Sequence, residues 1–161
     1  MKKYLLAGII ALAMPAYACQ EAELEAEFET RPFTSLEKGM YSHYDKQANL
    51  VFSDRKMWES HYKAAHDENV PAVDFTKEMI LAVYMGTKPN SAYSVEVKQI
   101  RNLPPSLDVL VQTTCPVEGN MYLQVITHPY HIVKIEKTSK PIGWTYISAT
   151  EECPKPPEKE K

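Results

Sequence analysis

Two stretches of alternating apolar and polar residues, AYSVEVKQI (92–100) and SLDVLVQTT (106–114), constrain the fold more than any other feature of the chain. Tyr93, Val95 and Val97 alternate with Ser94, Glu96 and Lys98, and Leu107, Val109 and Val111 repeat the pattern. A period of two places each apolar set on one face of a half-buried strand. Only the turn NLPPS separates the two, and a connection that short implies antiparallel pairing. MILAVYMG (79–86) lacks a polar face and reads as a strand covered on both sides. MYLQVITHPYHIVKIEK (121–137) reads as one long strand or two, with Pro129 breaking the ladder or marking a bulge. GMYSHYDKQANLVF (39–52) reads as a first strand or hairpin. Ser53 sits where a helix N-cap belongs, and DRKMWESHYKAAH follows with Trp58, Tyr62 and Ala65 on one helical face. The expected fold is α+β: an antiparallel, curled or barrel-like β-sheet with one main helix packed on it.

The two ends of the chain point to export. Lys2 and Lys3 precede the apolar stretch YLLAGIIALAM, and Ala16-Tyr17-Ala18 supplies small residues around a cleavage point, so residues 1–18 read as a signal peptide. A retained short anchor is the alternative. Cys19 follows at once, and PAYAC resembles a bacterial lipobox, in which the cysteine is acylated and becomes the N-terminus. Ordinary cleavage after Ala16-Tyr17-Ala18 would instead leave Cys19 free or open to intermolecular pairing. Glutamates at 21, 23, 25, 27 and 29 make residues 19–36 an acidic flexible tether, and PKPPEKEK makes residues 154–161 a disordered tail. Residues 37–153 form a single domain. Removing Lys2 and Lys3 takes the formal charge from −3 to −5. No concentrated basic patch offsets that acidity, which argues against nucleic acid as a partner.

No catalytic constellation is visible. His128 and His131 stand three apart, which on a strand points them to opposite faces, and His61 and His66 diverge on a helix at a spacing of five. Neither pair has metal-ligand spacing, so no metal is expected. Cys115 could serve as a nucleophile, but in an oxidising compartment a disulfide with Cys153 is the stronger reading. No nucleophile elbow, paired-aspartate motif or phosphate-cradling glycine loop occurs. The residues imply a protein that is not an enzyme, takes no cofactor and has no identified small-molecule substrate.

VDFTKEMILAVYMGTKPNSAYSVEVKQI followed by VITHPYHIVKI resembles the C-terminal domain of the PrcB protease-complex subunit family. Members show an Asp-Phe entry, an apolar strand ending in glycine, a Pro-x-Gly-Gly-Tyr turn and a later Thr-x-Pro-Tyr segment. Asp74, Phe75, Gly86, Pro89, Tyr93, Thr127, Pro129 and Tyr130 fall on those places, while Ser91 and Ala92 replace the paired glycines. The resemblance implies an exported, lipid-anchored accessory subunit of the cell envelope that binds another exported protein, with a protease as one candidate. Its binding segment is expected to be the loop Thr87, Lys88, Pro89, Asn90, Ser91, Ala92 and Tyr93, with Tyr93 anchored in the core and Lys88, Asn90 and Ser91 presented to solvent. A second reading makes the 87–92 loop the inhibitory element of a protease inhibitor, by a loose likeness to chagasin-type inhibitors.

Overall fold

The computed structural model describes residues 29–66 and 69–150; the expected signal peptide, most of the expected tether, Cys19, Cys153 and the expected tail lie outside them. Seven strands and one helix follow in order: β1 (Thr34–Gly39), β2 (Gln47–Phe52), α1 (Arg55–Ala65), β3 (Glu78–Met85), β4 (Ser94–Leu103), β5 (Ser106–Thr114), β6 (Tyr130–Glu136) and β7 (Ile142–Ser148). The strands form two separate sheets, one ordered β1-β6-β3-β2 and the other β4-β5-β7.

This overturns the α+β expectation. The protein is mostly β, the sheets are stacked rather than curled into a barrel, and the helix has only 11 residues. Short loops do fix antiparallel pairing for β4 and β5. β5 and β7, however, run parallel, with Leu107 opposite Ile142 and Thr113 opposite Ser148. The reason is the path between them. After β5 the chain crosses to the other sheet, runs back along it as β6 and returns, so β6 serves as the crossover that a parallel pair requires. The segment 39–52, read as a first strand or hairpin, supplies only β2. β1 lies almost wholly before it, beginning at Thr34 within the residues read as tether. The two do not pair, since β1 pairs with β6 and β2 with β3 at opposite edges of one sheet.

β3 is covered on both faces, as its unbroken apolar run predicts. Met79, Leu81 and Val83 point between the sheets, where they meet Val95, Val97 and Ile100 of β4 and Leu107, Val109 and Val111 of β5. Ile80, Ala82 and Tyr84 point the other way, towards Trp58 and Tyr62 of α1. Three layers result: helix, four-stranded sheet, three-stranded sheet. The helix is capped one residue later than its sequence suggested. Asp54, extended at φ −133° and ψ 135°, accepts a hydrogen bond from Met57 N, so Ser53 is not the cap.

The strand directions sort the connections into two ends. At one end lie the β1–β2, β3–β4 and β5–β6 loops, residues 40–46, 86–93 and 115–129. At the other, the N-terminal segment joins the edge of β4, with Arg31 N donating to Ile100 O at 2.8 Å and Asn102 N to Glu29 O at 2.8 Å.

Candidate binding surface and cleft

Gly86 starts the β3–β4 loop. Its φ of +68° suits glycine, and a Cβ there would stand 2.8 Å from Gln47 N and 2.9 Å from Asp45 O. The chain therefore turns tightly against the start of β2, and Thr87 N donates to Asp45 O at 3.1 Å. Beyond it the loop is fastened to the β5–β6 connection. Lys88 N donates to Thr127 O and Thr127 N to Lys88 O, at 2.8 and 2.9 Å, while Ser91 N donates to Leu123 O at 3.1 Å. The buried Thr127 hydroxyl donates to Asn90 O at 3.1 Å. Asn90 Oδ1 in turn accepts from Ala92 N at 3.0 Å, a side-chain-closed turn. Ser91 and Ala92 need none of the freedom of the glycines they replace, since no non-glycine residue among those described has positive φ.

Bracing changes what the loop presents. Thr87 and Pro89 are exposed, but Lys88, Asn90, Ser91, Ala92 and Tyr93 are half-buried. Tyr93 is not a core anchor: its ring lies under Lys88, whose Nζ is 5.4 Å from the ring centroid. The exposed apolar side chains belong to the neighbouring connection. Met121 is 98% exposed, Leu123 71% and Ile126 62%, with Val125 beside them. These residues alternate like a strand, yet 121–128 forms only one isolated bridge, between Thr127 and Lys88. The long-strand expectation is therefore confined to β6.

Behind Ile126 opens a cleft of about 510 Å³ whose lining includes Glu37, Tyr41, His43, His66, His128 and Tyr130. Ser42 shapes it, donating to His128 O at 3.3 Å and accepting from Tyr44 N at 3.3 Å. Glu37 lies at the floor. The Tyr62 hydroxyl donates to its Oε2 at 2.7 Å, and the Tyr130 hydroxyl donates to its Oε1. His66 Nδ1 stands 3.7 Å from the same Oε1.

The histidines are distributed differently from the sequence expectation. His61 and His66 do not diverge, because His66 is the residue after the helix, extended at φ −142° and ψ 147°, and has left the helical screw. Both Nε2 atoms reach the Tyr84 hydroxyl, at 3.0 and 3.1 Å. Burial, then the nearby Glu37, pushes the Tyr84 phenol well above its ordinary range. Burial, then His66, lowers the His61 pKa. His131 points between the sheets, away from His128. Its Nδ1 accepts from Val97 N at 2.8 Å, so its Nε2 carries the proton and donates to the Ser35 hydroxyl at 2.8 Å.

Cys115 is buried at the end of β5, with its N–H donating to Thr150 Oγ1 at 3.4 Å. Its expected partner Cys153 lies outside the described residues, as does Cys19. Among the described residues, no group of three or more His, Cys, Asp and Glu could hold a metal ion. Sequence reasoning missed the cleft and the exposed 121–126 segment. Pro129, read from the sequence as breaking the ladder or marking a bulge, separates this segment from β6 but does not by itself show that 121–126 is unpaired.

Residues 79–136 match the family described as PrcB C-terminal. The match begins in β3 and ends in β6, so it contains the braced loop and the apolar connection but not β1, α1 or β7. It also accounts for the motif positions physically, since Gly86 makes the tight turn, Thr127 ties down the loop and Tyr130 holds Glu37. Neither the curated proteins nor the solved structures yield a match to the chain.

Proposed function

We propose that this protein, through its PrcB C-terminal segment, is a non-enzymatic accessory subunit of a protease complex that docks on another exported protein. The observation that carries the reading is the set of exposed apolar side chains at 121–126, held on a backbone that the 87–93 loop braces. Exposed clusters of this kind mark docking surfaces, and rigid presentation lowers the ordering cost of binding. The candidate residues Thr87, Lys88, Pro89, Asn90, Ser91, Ala92 and Tyr93 then contribute as support, with Thr87 and Pro89 in direct contact. Export by residues 1–18, with Cys19 as a lipid anchor, would hold the subunit at the cell envelope. The described chain begins at Glu29, whose carbonyl accepts from Asn102 N at the opposite end of β4 from these loops.

Affinity purification from mildly solubilised envelope tests this. A stoichiometric exported protease, or a component of its complex, should be recovered with the wild-type chain. Leu123→Asp should weaken that association by about 2 kcal/mol or more, since it removes a contact-forming apolar group and buries a charge. Recovery of the monomer alone would count against the reading. An inhibitor acting by loop insertion has less support, because the loop lies along 121–127 instead of projecting. Titration against papain-like and subtilisin-like enzymes separates the two, as only an inhibitor gives saturable loss of activity.

A further inference from the structure

The geometry points to the Glu37 cleft as the seat for one basic side chain, arginine or lysine, of the docked partner. This deepens the accessory-subunit reading and rests on it. Among the described residues, Glu37 is the only acidic one lining the cleft, and neither lysine nor arginine lines it. A carboxylate offers about four acceptor sites on its two oxygens. The phenols of Tyr62 and Tyr130 occupy one on each oxygen, and His66 Nδ1 at 3.7 Å is beyond hydrogen-bond range. Acceptor capacity therefore remains at the floor, on a group carrying negative charge.

The walls suit the same occupant. Tyr41 is 67% exposed at the rim and Tyr130 lies deeper, so two phenol rings border the path to the carboxylate. Aromatic faces attract cations, and a guanidinium adds the planar fork that fits a carboxylate. Ile126 at the same rim can pack against the methylene stem. A volume of about 510 Å³ has room for a long side chain with the backbone that carries it. Ile126 also ends the exposed apolar run, so a partner segment covering 121–126 continues directly into the cleft. An acidic segment would instead meet the Glu37 charge, and a metal ion would lack the ligand set described above.

Titration of the full mature chain with acetyl-Ala-Arg-Ala-amide, followed by amide chemical shifts, tests the assignment. Saturable shifts are expected at Tyr41, Ile126 and His128, with acetyl-Ala-Glu-Ala-amide producing none. Glu37→Gln should weaken binding of the arginine peptide by about ten-fold or more. Tyr41→Ala, which removes an exposed ring and leaves the core closed, should weaken it by about three-fold or more and carries the test if Glu37→Gln fails to fold. Equal response to the two peptides, shifts centred elsewhere, or unchanged affinity in Tyr41→Ala would overturn the assignment. Capture of the protease partner separates this failure from failure of the docking reading. If Leu123→Asp abolishes capture while Tyr41→Ala and a folded Glu37→Gln retain it, docking stands and the cleft assignment falls. If Tyr41→Ala and Glu37→Gln reduce capture as well, the cleft is part of the interface.

Discussion

His131 shows how a single side chain links the two sheets. It stands on β6, and its ring spans from Ser35 on β1 to the backbone of Val97 on β4. Burial holds its pKa down to about 4, the Lys38 cation pushes the same way and the Glu96 carboxylate opposes them. An unfolded histidine titrates near 6.5, so between these values the unfolded chain binds a proton that the folded chain refuses. Stability contributed by neutral His131 is thus present above pH ~6.5 and is lost as the pH falls towards ~4, an effect on the order of 3 kcal/mol. His61, also lowered by burial, acts in the same direction. Replacing His131→Leu should cost about 1–3 kcal/mol at pH 7, because the Val97 N–H loses its acceptor. The same variant should lose less stability than wild type between pH 6.5 and 4. Urea unfolding across that range decides it, and parallel pH profiles would remove His131 as the source.

At the scale of elements, local rules located the helix and its buried face but misplaced its start. Trp58, Tyr62 and Ala65 are buried as the 3.6-residue period predicts. Two adjacent residues could each have capped, and the backbone gave the role to Asp54, while the Ser53 carbonyl accepts from Lys137 Nζ at 3.3 Å. Asp54→Ala should therefore lower stability by about 1 kcal/mol and Ser53→Ala by less than about 0.5 kcal/mol, measured by thermal or urea melts of both variants. Equal losses would mean that Ser53 shares the cap. The 121–128 stretch teaches the opposite lesson. Its alternation is as strand-like as that of β5, but the chain is crossing between sheets there, and its backbone hydrogen bonds to other segments go to the 88–91 loop and, from His128 N, to Met40 O. Alternation reports a preference for a pleated surface. It does not supply the neighbouring strand that a ladder needs.

For the whole molecule, the cysteines tie compartment to fold. The parallel β5–β7 pair brings Thr150 beside Cys115, and Cys153 follows three residues later in the sequence. That placement supports the proposed Cys115–Cys153 disulfide, whose closed loop would contribute about 4 kcal/mol in the chain-entropy description. Cys115→Ser should lower the melting temperature and leave Cys153 reactive towards thiol reagents. With Cys19 as the proposed lipid anchor, Cys19→Ala is expected to release the protein from the membrane with an unchanged melting temperature. Two reactive thiols in the folded wild type would overturn the disulfide, and a wild type free of the membrane would overturn the anchor. The sequence by itself determined that β3, β4, β5 and β6 are strands, which helix face is buried, that β3 is enclosed on both sides, and the family motif that ends in Tyr130; β7 and most of β1 carried no such signal. Those properties depend on neighbours two to four residues away, where periodicity acts. Only the tertiary structure decided that the strands divide into two sheets, that β5 and β7 run parallel, that His61 and His66 meet at Tyr84, and that Glu37 floors a cleft. Each of these joins residues far apart in the chain, and the partner is chosen by how the whole set of apolar faces can be buried at once.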